Sequence, residues 1–135
     1  MKMNLKNKKI LTKICAFGIG ASLMAAPLTA DAYVCKPTYQ GEVMNCTGTV
    51  SGTIGKNKKS ACVGSTLYEA DYYNVVSVFG YNTNGTLLSS AYAQQASLQA
   101  RAVTSTQKGV TKYKLTHSIL NSSKVPVKSV KKTIS

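Results

Sequence analysis

Glu69 and Asp71 stand two residues apart, so on an extended strand their carboxylates would share one face. Paired carboxylates can do acid–base work. These two are better read as solvating a strand end. His117 beside a cysteine would make a nucleophile and its base. No oxyanion-stabilising motif accompanies them, and core or disulfide roles are commoner for such residues. The glycine-rich "GTVSGTIG", Gly48 to Gly55, lacks the lysine and following helix of a phosphate loop. A single His and no CxxC spacing argue against zinc. The chain therefore reads as a protein without enzymatic activity, cofactor or metal.

What remains is binding. The sequence has eight Tyr, two Phe and no Trp, so some tyrosines must be core and others are open to work. Tyr72, Tyr81 and Tyr92 fall near strand ends or loops. There they could stack on sugars or sit at a membrane interface beside lysines. Arg101, Lys112 and Lys114 are the basic candidates, because each alternates with apolar or small residues and should project outward.

The N-terminus explains where such a surface would act. "MKMNLKNKK" is basic, "ICAFGIGASLMAAPLTA" is uncharged and apolar or small, and "ADA" follows. This is the order of a secretory signal, with Ala30 and Ala32 at the positions that precede the cut. Residues 1–32 are expected to be removed between Ala32 and Tyr33, leaving 33–120 as a β domain and 121–135 as a flexible basic tail. The apolar run is short for a membrane span, so no stable span is expected after cleavage. The lysine-rich front suggests a Gram-positive source. Removal of five lysines and Asp31 leaves twelve basic residues against Glu42, Glu69 and Asp71, a charge of about +9. On an exported protein that sign points to an anionic envelope component or wall precursor rather than nucleic acid. The same charge would also serve solubility.

Three cysteines lie beyond the cut: Cys35, Cys46 and Cys62. In an oxidising compartment two of them should pair. The third would be a spare thiol or the link of a disulfide-bonded dimer. Cys46 with Cys62 is the preferred pair, because the segment between them resembles two strand ends around a loop. Cys35 with Cys46 remains open.

The elements that must position these residues are strands. No helical apolar period appears in "YVCKPTYQGEVMNCTGTVSGTIG", which mixes Thr, Val and Tyr with glycines. "GKNKKS" is a polar turn, and "ACVGSTLYEADYYNVVSVFGYN" is strand-like throughout. Both faces of Tyr73 to Tyr81 are apolar enough for a strand covered on two sides. "NTNG", Asn82 to Gly85, predicts a turn. "TLLSSAYAQQASLQARAVT" contains good helix formers but no apolar stripe or caps. It is read as a loop over Thr86 to Ala96 and a strand over Ser97 to Thr104, with Ala100 and Ala102 facing a neighbouring sheet. "VTKYKLTHSIL" alternates cleanly, and Pro126 with the serines around it argues against packing of the tail. The fold class is all-β, a small antiparallel sandwich.

The Asn-rich turn at Asn82 to Gly85, Ala100 and Ala102 flanking Arg101, and the closing strand Thr111 to Ile119 together resemble the lactococcin nine-seven-two family of secreted bacteriocins. The resemblance runs from Val76 to about Ile119, under half of the mature chain. The cysteine-bearing front segment and the absence of Trp depart from that family's pattern. The resemblance implies an exported β-sandwich that binds a wall precursor or anionic envelope component of competing Gram-positive bacteria without covalent chemistry. A cell-wall- or host-surface-binding module that does not kill, and a small disulfide-stapled inhibitor, are the other readings.

Overall fold

The structure is a computed structural model and describes residues 31–135. It is all-β. Ten strands follow in order: β1 (Ala32–Cys35), β2 (Thr38–Tyr39), β3 (Glu42–Gly52), β4 (Lys59–Tyr68), β5 (Tyr73–Tyr81), β6 (Leu87–Ala96), β7 (Ala100–Val103), β8 (Gln107–Lys108), β9 (Lys112–Leu120) and β10 (Pro126–Ile134). One sheet has the order β1-β3-β4-β7, with β2 beside β3 and β8 beside β4. The other has the order β10-β9-β5-β6. All the pairings are antiparallel, and the two sheets pack face to face as a sandwich. Among the described residues no helix is long and apolar enough to cross a membrane.

The period-two pattern decides which side chains meet. Val76 and Val78 of β5 and Tyr113, Leu115, His117 and Ile119 of β9 point inward and are buried. Facing them are Met44, Cys46 and Val50 of β3 with Thr66 and Tyr68 of β4. Ala100 and Ala102 are buried on the inner face of β7, as their small size allows. The centre of the interface is narrow because Gly64 has no side chain. A Cβ there would lie 2.8 Å from Leu115 and 2.9 Å from Val76 of the opposite sheet. Gly48, beside Gly64 across the β3–β4 pair, makes a second gap. The ring of Tyr33 fills it, and a Cβ on Gly48 would fall 2.4 Å from that ring.

Three polar links tie the sheets through this core. Ser60 and Tyr113 share a hydroxyl–hydroxyl bond of 2.8 Å. His117 meets Thr66 Oγ1 through Nδ1 at 2.9 Å, and Tyr33 Oη through Nε2. Asn74, also buried, accepts from the Tyr68 N–H and donates to the Leu98 carbonyl. Buried polar groups cost stability unless paired, so these links fix the relative register of the two sheets.

Two segments differ from the sequence reading. Leu87–Ala96, expected as a loop, is a full-length strand laid against β5. Its Ala and Gln content is poor for a strand, but the turn headed by Asn82 starts a ladder that its backbone completes. Pairing with a strong neighbour outweighs intrinsic preference. The chain then turns at Ser97, whose φ is 59°, before the shorter strand β7. Residues 121–135, expected as a mobile tail, form a hairpin with β9. Asn121 organises its turn by accepting from the N–H groups of Ser123 and Val125. Ile134 is buried in the core, with Val127 packed against it. Pro126 is tolerated because β10 is an edge strand and the pairing is irregular there. β5, by contrast, is central in its sheet, yet only one of its faces is covered by another sheet.

Most of the expected export signal, residues 1–30, lies outside the described residues. Its last two positions do not: Asp31 accepts a backbone bond from Val50, and Ala32 opens β1.

Candidate functional site

The outer face of the β10-β9-β5-β6 sheet collects the residue types expected of a binding surface. Register sets its rows. Lys131, Thr116, Ser77 and Tyr92 lie across the four strands in one row. Thr133, Lys114, Phe79 and Ser90 form the next. Lys112, Tyr81 and Leu87 follow, where an irregularity between Gly80 and Tyr81 brings Leu87 level with Tyr81. Neighbouring strands are about 4.8 Å apart, so one row spans about 14 Å. Lys114, Lys131, Phe79 and Tyr92 are exposed, and Lys112 and Tyr81 are half-buried.

Local chemistry explains how the rings and charges share this face. The Lys114 ammonium lies 5.6 Å from the centroid of the Tyr81 ring, within reach of a cation–π contact. At the other end of β5, Lys124 lies 5.2 Å from the Tyr73 ring centroid. Tyr92 extends into solvent and donates to Gln94 at 3.0 Å. The described acidic side chains of Asp31, Glu42, Glu69 and Asp71 all lie off these rows.

The structure divides the expected site. It brings Lys112, Lys114, Tyr81 and Tyr92 onto one surface. Arg101 is a correction. It stands with Lys112 and Lys114 as an outward-pointing basic residue in the sequence, but β7 pairs with β4 in the other sheet. Arg101 faces Ser65 and points out of the opposite side of the sandwich. Tyr72 is half-buried and lies apart from this face. It packs edge-on against Tyr68 and Tyr39, with ring centroids 5.4 Å and 5.9 Å away. Nine residue steps along β5, about 30 Å of strand, separate its position from Tyr81. Lys131, assigned to a mobile tail, belongs to the face instead, as the alternation of Val130, Lys132 and Ile134 around it would have signalled.

The three described cysteines are buried, and no disulfide joins any two of them in this structure. Cys46 with Cys62 is excluded by register. Cys46 stands opposite Thr66 on β4, four residues from Cys62, or about 13 Å along the strand. An intermolecular bridge would require a strand to open first, since none of the three thiols is exposed. Burial pushes the Cys62 thiol up to about 12, so at neutral pH it stays protonated and unreactive.

His117 has its ring walled in by both sheets. A neutral imidazole protonated on Nδ1 meets both of its neighbours: Nδ1–H points to Thr66 Oγ1, and Nε2 accepts from the Tyr33 hydroxyl. Burial lowers its pKa to about 4, and Lys132 nearby acts in the same direction. It is a structural residue with no thiol at its nitrogens. Glu69 and Asp71 line an open depression with Leu67, Ser97 and Leu98, and Ser97 Oγ donates to Asp71 at 3.4 Å. Among the described residues no group of three His, Cys, Asp or Glu side chains is placed to hold a metal ion.

Comparison with known proteins finds no family model, no curated protein and no solved structure that matches this chain.

Proposed function

We propose that the protein is a secreted, bacteriocin-like antibacterial protein. Its outer β10-β9-β5-β6 face would bind an anionic component of the envelope of competing Gram-positive bacteria. The observation that carries this reading is the row structure itself: Lys112, Lys114 and Lys131 share one face with Phe79, Tyr81 and Tyr92, and no acid interrupts them. Lysines supply attraction to phosphate-rich polymers or anionic lipid, while the rings offer flat apolar surface for sugar or acyl groups. The sequence resemblance to lactococcin nine-seven-two proteins adds the antibacterial role, and the sandwich fold agrees with what that resemblance implies.

Each lysine near an anionic surface contributes about 1 kcal/mol, and salt screens it over about 10 Å at 0.1 M. Replacing Lys112, Lys114 and Lys131 together by Gln should therefore weaken binding to isolated Gram-positive walls by about a hundredfold at low salt. The wild type should lose most of that advantage at high salt. Replacing Arg101 by Gln, on the other side of the sandwich, should change binding little. Equal binding by the triple variant would remove the face from consideration. Growth inhibition by the purified protein separates a killing protein from a module that only binds.

A further inference from the structure

We propose that Cys35 and Cys46 form a cross-strand disulfide between β1 and β3 when the protein meets an oxidant. The two residues are direct partners in the β1–β3 ladder. The hydrogen bonding fixes which kind of partners they are. Val50 donates to the Asp31 carbonyl at 2.8 Å, and Met44 donates to the Pro37 carbonyl at 2.8 Å. Both of these pairs are an even number of steps from Cys35 and Cys46 in the same register, so the cysteines occupy a hydrogen-bonded position. Their Cα atoms are then about 5.5 Å apart, within the range a disulfide spans, and a small approach of the edge strand brings the Cβ atoms to the about 3.8 Å that the bond needs. Side chains at one rung point to one side of a sheet, and both cysteines point inward, at 6% and 0% exposure. Cys62, four residues out of register with Cys46, is too far along β4 to compete in the folded sandwich.

Among the described residues β1 is an edge strand of four residues, paired on one side, with β3. Fraying of such an edge exposes Cys35, and folding from the unfolded chain exposes both. The oxidant is a small disulfide such as glutathione disulfide. The Cys35 thiolate attacks one of its sulfurs, forming a mixed disulfide and releasing one glutathione thiolate. The Cys46 thiolate then attacks the Cys35 sulfur, closing the protein bridge and releasing the second. Two protein thiols are oxidised, one disulfide is reduced, and the two protons pass to the released glutathiones. The bridge would fasten the strand that carries Tyr33, and with it the contact to His117 in the other sheet.

Glu42 lies between the two cysteines in sequence, which makes the test direct. The full chain carrying Cys62→Ser, and Cys15→Ser to remove the one cysteine of the expected export signal, is incubated with glutathione disulfide, alkylated and cut after glutamate. The expected result is that the fragment ending at Glu42 and the fragment beginning at Val43 stay joined until a reductant is added, in a chain lighter by two hydrogen atoms. The unsubstituted chain, treated the same way, should take up alkylating label at Cys62 once unfolded and none at Cys35 or Cys46. Label at Cys35 in either protein, a Cys46–Cys62 link, or a covalent dimer would overturn the proposal.

Discussion

Tyr33→Ala is expected to destabilise the domain by about 3–5 kcal/mol, the range for loss of a large buried ring. For a small domain that is a large share of the total. The reasons are local and separable. The ring occupies the space left by Gly48, so its removal opens a cavity that the flanking backbone cannot refill. Its hydroxyl meets His117 Nε2, so its removal also leaves a buried nitrogen without that partner. Tyr33→Phe keeps the ring and removes only the hydroxyl, and should cost about 1–2 kcal/mol. Urea unfolding of the three proteins checks both values. A loss below about 1 kcal/mol for the Ala variant would mean that β1 is not part of the cooperative core. The same residue bears on export. The proposed cut between Ala32 and Tyr33 retains the ring, whereas a cut one residue later would discard it.

Acid is expected to weaken the fold in a defined window. The His117 pKa is about 4 in the folded protein, against about 6.5 in an unfolded chain. Between these values the unfolded chain binds a proton that the folded chain refuses, so stability falls as pH falls. At 1.36 kcal/mol per unit the loss approaches about 3 kcal/mol by pH 4, and below that this residue adds nothing more. Above about pH 6.5 it has no effect, because both states are neutral. Desolvation inside the sandwich is the main cause; a backbone hydrogen bond at Ser65 opposes it, and the positive charge of Lys132 adds to it. His117→Gln should be less stable at neutral pH, through loss of one or both hydrogen bonds, yet show a flatter pH dependence between 6.5 and 4. Denaturant midpoints across that range measure it. An unchanged slope in the Gln variant would place the acid sensitivity elsewhere.

How far the sequence foretold the molecule depends on whether a signal was local. The strands β5 and β9 were legible because Val76 and Val78, then Tyr113, Leu115, His117 and Ile119, alternate with outward residues over nine positions. Ala100 and Ala102 were correctly placed on an inner face for the same reason. β6 was not legible. Its Leu, Ala and Gln residues carry little strand preference, and it is a strand because β5 lies beside it. The tail was misjudged because Pro126 and the serines outweighed a weaker alternation ending at Ile134. The turn at Asn121 accepts the same pair of N–H groups, two and four residues on, as the turn at Asn82. That repeated chemistry was in the sequence, but "NTNG" advertises it with a glycine at its end and "NSSKV" does not.

The site was half legible for a related reason. Alternation told that Lys112, Lys114 and Arg101 point outward, but outward from which sheet is a question of topology. β7 joins β4 rather than β9, so Arg101 left the group and Lys131 entered it. The cysteine pairing turned on register as well. A loop-flanking position suggested Cys46 with Cys62, and four residues of offset removed it.

The most direct measurement of the central claim is a titration of isotopically labelled protein with purified anionic wall polymer at low salt, followed by amide chemical shifts. Binding through the proposed face predicts that shifts centre on Phe79, Tyr81, Lys112, Lys114 and Lys131 and fade as salt is added. Shifts centred on Arg101, Val103 and Thr49, on the opposite face of the sandwich, or no shifts at low salt, would contradict it.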